Sequence, residues 1–529
     1  MKNLVIIVVC LHLGMVSCAK KNGDLMGQTA NERAPQYTGP FLYGSNMGWF
    51  NSNWRDEDFA DFLIGNKSRG WEGVGVNSLR PALYHDFVEN WGYDIRVDAF
   101  RHYYERGSKY NVVFIGDRPS EQHREKKQHV PGKQSQSYEN LYEPIWATDE
   151  SGATVVNSNN HYAAYVYQLV KTYKNYVKFW EIKNEPDFTW APMCGGRPSG
   201  EPCNWWDNDP PASDLHNFHA PVQSYIRMLR VSYEVIKRLD PDAYVCVGGI
   251  GYASFLDAIL RNTDNPDNGK VTERYPLTGG AWFDCLSFHV YPMYYLREWG
   301  NGDFDYFRHT DAAIAAVERQ TDEYVALLAK YGYGNRYPAK EIIITETNIP
   351  SKEVDVWIGS VEAQRNYLAK LAVAAQRKGV IGVHVYAPTD DAERDDGGSE
   401  YHYMGFYKPL PDSPTAGPLR MNESGVAWRT SSRMLGGRKY DPAETARLNL
   451  PSGVDGGAFY SASERNHVYA LWAKTGRDRS EEASASFSFP ASMNVASMRR
   501  IGWNETESGV VGNTVALTGS PAYIIINKN

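Results

Sequence analysis

VKFWEIKNEPDF, residues 177–188, is a short run of strand-forming residues that passes into a polar tip and halts at Pro186. Proline has no N–H to give a strand ladder, so the strand must finish before it and leave Asn184 and Glu185 at its end. Seven runs of the same texture flank this one: FLYGSN (41–46), GVGVNSLR (73–80), NVVFIGD (111–117), AYVCVGG (243–249), FDCLSFHVY (283–291), EIIITE (341–346) and GVIGVHVY (379–386). Their near-continuous apolar character suits strands covered on both faces.

Helix-period segments lie between the runs. TDAAIAAVERQTDEYVALLAKYG (310–332) puts Ile314, Val317, Tyr324 and Leu328 on one stripe, with Thr310 placed to cap it. VEAQRNYLAKLAVAAQRKG (361–379) ends in basic residues and a glycine, as helix C-termini do. Eight βα units in series predict a closed (β/α)8 TIM barrel over 39–438. An open doubly wound sheet is disfavoured, because no glycine-rich phosphate fingerprint opens a helix.

Beyond residue 438 the texture changes. ARLNL, GAFYSA, HVYALWAK, ASFSFP and AYIIIN are short, β-branched or aromatic, and separated by turn residues. They predict a small all-β sandwich over 439–529.

The N-terminus carries Lys2, an apolar run from Leu4 to Val9, and Met15-Val16-Ser17-Cys18. The run is too short to span a bilayer and reads as a secretory signal over 1–18, with Cys18 in a bacterial lipoprotein-type cleavage box and 19–38 as a linker. The expected location is periplasmic or outer-membrane-anchored, with a membrane contact only through that lipid. In an exported chain Cys194 and Cys203, bracketing a Gly/Pro-rich loop, are expected to form a disulfide, while Cys246 and Cys285 read as small buried hydrophobes. No CxxC or HExxH motif occurs, and neither a metal nor another cofactor is expected.

The chain has 529 residues and a formal net charge of −8, which argues against a nucleic-acid partner. Its 36 tyrosines and 15 tryptophans supply flat, half-polar rings of the kind that handle sugars.

A barrel presents its chemistry at the C-terminal ends of its strands. Glu185 ends the fourth and Glu346 the seventh. Ile342, Ile344 and Glu346 share one parity, so if the isoleucines line the interior, Glu346 points into the same axial space. Two opposed carboxyl groups are the minimum equipment for glycosidic hydrolysis, one to protonate the leaving oxygen and one to attack the anomeric carbon or activate water.

With these residues in place the chain resembles the retaining glycoside hydrolases of clan A. The resemblance implies Asn184-Glu185 as the acid/base pair and Glu346 as the nucleophile. It also implies Arg80, at the end of SLR, as a residue that positions the nucleophile, and His289 and Tyr291 as the clan's His-x-Tyr, whose Tyr hydrogen-bonds the nucleophile. Asn46 and Trp190 are added as substrate-binding or supporting residues. The implied mechanism is double displacement, with retained configuration and carboxyl groups about 5–5.5 Å apart.

Two departures stand out. Lys183 occupies a position that is often Trp, and a cation one layer below Glu185 would oppose its acid role unless Glu181 pairs with it. The eighth strand offers His384 and Tyr386 instead of Trp. Trp190, Trp205 and Trp206 ride the loop after strand four, either as a sugar platform or as packing. DRPSEQHREKKQHVPGK after strand three has five basic residues against three acidic ones and is taken as a solvated loop, although it would suit a sulfated or uronic-acid polymer. The acidic run 390–396 also reads as solvated, since Asp396 and His402 stand where a calcium loop needs Gly and Glu.

The expected partner is therefore a polysaccharide or oligosaccharide. The leading expectation is an endo-acting hydrolase of a β-linked plant or algal polysaccharide. The alternatives are an exo-acting β-glycosidase similar to glycoside hydrolase family 39 and a non-catalytic glycan-binding lipoprotein.

Overall fold

The computed structural model describes residues 29–33, 35–47, 53–190, 204–391 and 397–528. The signal segment, Cys18, Cys194, Cys203 and most of the acidic run lie outside the described residues.

All eight expected strands form: Leu42–Asn46, Ser78–Arg80 resumed at Ala82–Leu83, Asn111–Ile115, Val177–Ile182, Tyr244–Val247, Cys285–His289, Glu341–Thr347 and Gly382–Val385. Every pairing between them is parallel. The sheet has Ser78–Arg80 at one end and Ala82–Leu83 at the other, and these are halves of one segment split by Pro81. Pro81 has no N–H to donate, but its carbonyl accepts from Phe114 at 3.3 Å, and the Asn111 side chain accepts from the Leu79 N–H at 3.1 Å. The ring is thus closed across its interrupted second strand.

The interior has two layers. Leu42, Val112, Phe179, Tyr244, Cys246, Cys285 and Ile343 fill the lower one, with Tyr37 from the N-terminal segment packed beneath them, edge-on or tilted, against Tyr110, Phe179 and Tyr244. Cys246 and Cys285 are free, buried and opposite one another, and burial pushes both thiols up. The upper layer is polar: Arg80, Glu181, Ser287, Thr345 and His384 are all buried there.

This layering corrects the expected parity of strand seven. Ile343 is the interior residue, while Ile342 and Ile344 join the core shared with the helices. Glu346 reaches the mouth because the register shifts between Ile344 and Glu346, and such a bulge re-aims the side chain that follows it.

The helix read from residue 310 runs Thr310–Lys330, and its expected apolar stripe is buried. Its cap is His309 and not Thr310; the imidazole accepts from the Ala312 N–H at 3.4 Å. Helix Val361–Arg377 starts at Ser360, whose hydroxyl accepts from Ala363.

After residue 438 come a six-stranded antiparallel sheet, in the order Lys439–Tyr440, Val454–Ser461, Asn466–Ala473, Ala522–Lys528, Val495–Gly502 and Glu507–Val511, and a two-stranded one, Ser484–Ser488 with Thr514–Thr518. ARLNL, read as a strand, instead closes helix Pro442–Arg447; the Asp441 side chain caps it and Pro442 opens it. The sheets are tied to the barrel by polar contacts. Glu481 accepts from the Thr310 N–H at 2.9 Å and its hydroxyl at 2.6 Å. Asp311 accepts from Trp472 at 2.9 Å, and Arg377 bridges Glu318 and Asp455 at 2.8 and 2.7 Å. Among the described residues no helix is long and apolar enough to cross a membrane.

Candidate active site

The site is built outward from Arg80. This side chain is wholly buried, and its Nε donates to Glu181 Oε2 at 2.7 Å. One terminal nitrogen donates to Glu346 Oε1 and Asn46 Oδ1, and the other to Asn184 Oδ1, each at 2.7 Å. Glu181 in turn accepts at Oε1 from Ser287 and Thr345, both at 2.7 Å. Burying this ion pair carries a large desolvation cost, and the surrounding hydrogen bonds are what make it tolerable. The guanidinium is thereby locked in one plane, and its fork fixes the angle at which Glu346 enters the mouth.

Glu346 Oε2 accepts from the Tyr291 hydroxyl at 2.8 Å and lies 3.7 Å from His289 Nδ1. His289 Nδ1 is also 2.7 Å from Glu185 Oε1, a geometry in which the ring nitrogen donates to the carboxylate. Burial would raise the Glu346 carboxyl, but the charges of His289 and Arg80 and the Tyr291 hydrogen bond outweigh it and hold the group below its ordinary value. For His289, burial works downward, and the neighbouring Glu346 and Glu185 together lift it above a normal histidine. A nitrogen of His289 and one carboxyl oxygen each from Glu185 and Glu346 all lie within 4.8 Å of one another.

Strand four ends at Ile182, and the chain then turns through left-handed backbone at Lys183 (φ 66°) and Glu185 (φ 47°). Strand alternation therefore does not extend to Lys183. Its ammonium turns aside to pair with Asp117 Oδ1 at 2.8 Å, and Asp117 Oδ2 accepts from the Asn184 N–H at 2.7 Å. Lys183 does not pair with Glu181, because Arg80 takes Glu181. With Asn184 Oδ1 held by Arg80, its amide nitrogen is the atom left to serve a ligand.

Seven sequence-selected residues, Glu185, Glu346, Asn184, Arg80, His289, Tyr291 and Asn46, meet in this one network. Trp190 does not join it; it stands 75% exposed beside Phe188. Trp205 is buried, meets Tyr252 edge-on and donates to Asp214 at 3.2 Å, so it packs the loop and offers no platform. His384 is not at the mouth either. It lies buried in the interior, with its Nε2 2.8 Å from the Ser78 hydroxyl, and a Cβ at Gly44 would overlap its ring. Tyr386 does reach the mouth, where it forms an aromatic wall with Tyr291 and Tyr401. Asp390, read as solvated, is buried and accepts from Gly405 and Asn422 at 2.7 and 2.9 Å.

Sequence reasoning missed Asp187. It is buried next to Glu185, with Oδ2 accepting from the Gly251 and Tyr252 N–H groups, both at 2.9 Å, and Oδ1 without a partner. Burial, reinforced by the Glu185 charge, raises its carboxyl to about 7. The only signal in the sequence was its place in Asn-Glu-Pro-Asp.

Among the described residues two groups have ligand spacing for a cation: Glu185, His289 and Glu346, and separately His85, Glu89 and His123. In the first, Glu346 is already paired with Arg80, and His289 Nδ1 lies 2.7 Å from Glu185. In the second, Glu89 Oε1 is 2.9 Å from His123 Nδ1 and accepts from Gln122 at 2.7 Å.

No protein-family model matches the sequence, and no curated protein does either. Solved structures do resemble it. A family 39 glycoside hydrolase from the gut symbiont Bacteroides cellulosilyticus WH2 superimposes with a TM-score of 0.55 at 16% identity, over 92% of this chain and 81% of that one. A family 51 alpha-L-arabinofuranosidase from Bifidobacterium longum gives 0.49 at 10% identity, over 94% and 97%. At these identities the first similarity establishes a shared TIM-barrel fold.

Proposed function

We propose that the protein is a retaining glycoside hydrolase that cleaves a β-linked polysaccharide internally through a covalent glycosyl-enzyme. The observation that carries this reading is the closeness of Glu185 and Glu346, with oxygens inside 4.8 Å and Glu346 kept ionised by Arg80 and Tyr291. That spacing suits direct attack and leaves no room for a water between carboxylate and sugar, as inversion requires.

In the first step a Glu346 oxygen bonds to the anomeric carbon while Glu185 passes its proton to the departing glycosidic oxygen. Forming the ester removes the negative charge of Glu346, and that loss favours Glu185 as a carboxylate. Glu185 then takes a proton from water as the water oxygen displaces Glu346 with a second inversion. The Asn184 amide is placed to donate to a sugar hydroxyl, and Tyr291, Tyr386 and Tyr401 offer an aromatic wall to the ring.

Exo action is the second reading, favoured by Tyr294, which bonds Glu400 and Tyr401 at 2.7 and 2.9 Å and so builds up one side of the mouth. Product profiles separate the two: a ladder of oligomers supports endo action, and monosaccharide alone supports exo. The class itself is tested by leaving-group dependence. Glu185→Gln should be far less damaging on an activated aryl glycoside than on a natural linkage, whereas Glu346→Gln should abolish both. NMR of early product showing inversion would refute the assignment, and tight glycan binding with no turnover would make the protein a binding lipoprotein instead. The N-terminal sequence supports export and lipidation at Cys18, which mass spectrometry of the mature N-terminus tests.

A further inference from the structure

Away from the mouth, a cleft of 1060 Å³ opens between the start of helix Val361–Arg377 and the antiparallel sheets. Arg365, Arg477, Arg479 and Arg500 line it together with Trp503. The carboxylates on its walls are Glu362, Glu481 and Glu482. Two of the three are already engaged: Glu481 by Thr310 and Asn366, and Glu482 by Arg477 at 3.2 Å. Arg479 pairs with Glu353 and Arg365 with Glu423, while the Arg365 guanidinium carbon lies 4.3 Å from the centre of the Trp503 ring.

The donors are not all used. The Nε atoms of Arg365 and Arg500 are buried and have no hydrogen-bond partner, and among the described residues no salt bridge forms at Arg500. Arg500 lines the cleft with no carboxylate partner among the described residues, and an oxyanion in the cleft would supply one. The cleft is also tied to the catalytic face. Its Ser360 ends the segment that follows strand seven, which closes at Thr347, and Glu353 of that segment pairs with Arg479.

We infer that the cleft is a second glycan-binding site, one that holds a carboxylate- or sulfate-bearing stretch of polysaccharide while hydrolysis takes place at the mouth. The inference deepens the proposed function and rests on it for the identity of the ligand as a glycan. Guanidinium forks match the planar carboxylate and the sulfate ester, and the indole beside them offers apolar surface to a sugar ring.

The test uses the full chain carrying Glu346→Gln, run in affinity electrophoresis against polygalacturonate, a sulfated galactan and a neutral mixed-linkage β-glucan. Retardation by one of the charged polymers is expected, weakening with salt and falling at least tenfold in Arg500→Ala and in the exposed-site variant Arg477→Glu. Which charged polymer is effective decides between carboxylate and sulfate. Neither charged polymer binding, equal binding to the neutral one, or binding that both substitutions leave unchanged would overturn the inference. Arg500→Ala and Arg477→Glu in the otherwise native chain should hydrolyse an aryl glycoside within twofold of the parent. Normal aryl hydrolysis without cleft binding defeats this inference alone, and cleft binding without any hydrolysis defeats the catalytic reading alone.

Discussion

Arg80 and Glu181 form a completely buried ion pair, 2.7 Å from Nε to Oε2, directly beneath the carboxylates of the barrel mouth. Glu181 never reaches the mouth itself; it orients the cation that orients Glu346. Glu181→Gln should therefore lower stability by ~3–5 kcal/mol in urea unfolding, since it strands a buried charge. The accompanying drop in kcat/KM should be on the order of 100-fold, the effect of misplacing a reacting group by about an ångström.

Tyr291→Phe removes one of the donors that hold the Glu346 carboxyl below its ordinary value. The acid limb of kcat/KM is expected below the ordinary glutamate range in the native protein and higher in the variant. The sign follows from linkage. A depressed carboxyl contributes stability above its unfolded value and loses it as pH falls through its folded value. A pH–rate profile in which the limb stays put in Tyr291→Phe would contradict this account.

Asp187 titrates in the opposite sense. Its carboxyl is raised from 3.8 to about 7, so its stabilising contribution is complete below about 3.8 and is lost as pH rises through 7. Asp187→Asn keeps an acceptor for Gly251 and Tyr252 and cannot ionise. Its Tm should vary less than that of the parent between pH 4 and 7, which differential scanning calorimetry reads directly.

Gly249 has φ of +55°, and a Cβ there would overlap the His289 ring. Gly249→Ala should cost roughly 1–2 kcal/mol from the left-handed backbone alone. Activity should fall out of proportion to that loss, because the ring that joins Glu185 to Glu346 is displaced. Full activity in a folded Gly249→Ala protein would show that His289 is not needed where it stands.

Trp190 and Trp205 share a loop and should respond in opposite ways. Trp190→Ala should leave stability within about 0.5 kcal/mol and raise KM on a polymer while sparing an aryl glycoside. Trp205→Ala should lower stability by ~3–5 kcal/mol through a core cavity.

Much of this architecture was legible in the chain, because strand-end chemistry is local. Apolar runs broken by polar tips marked all eight strands, and the tips held Arg80, Glu185, His289 and Glu346. What escaped were features set by how strands meet. The Ile342–Ile344 parity pointed to the right place for the wrong reason, since a bulge that depends on neighbouring strands turns Glu346 inward. Lys183 fell outside strand alternation because the strand had already ended. Arg80 competes for Glu181 from a strand 101 residues away, and no reading of neighbours along the chain reveals such a competition. Helix Pro442–Arg447 was a different error, in which the Asp-Pro start signal outweighed the short run ARLNL read as a strand.

The grip of Glu481 on the first turn of helix Thr310–Lys330 has a wider consequence. A carboxylate from the C-terminal sheets completes a helix of the barrel, so neither half can melt without exposing donors in the other. Heating the intact chain should produce a single calorimetric peak, and a gene truncated after the barrel should yield aggregated protein. The appended sheets are, in that sense, the last helix cap of the barrel and not a passenger on it.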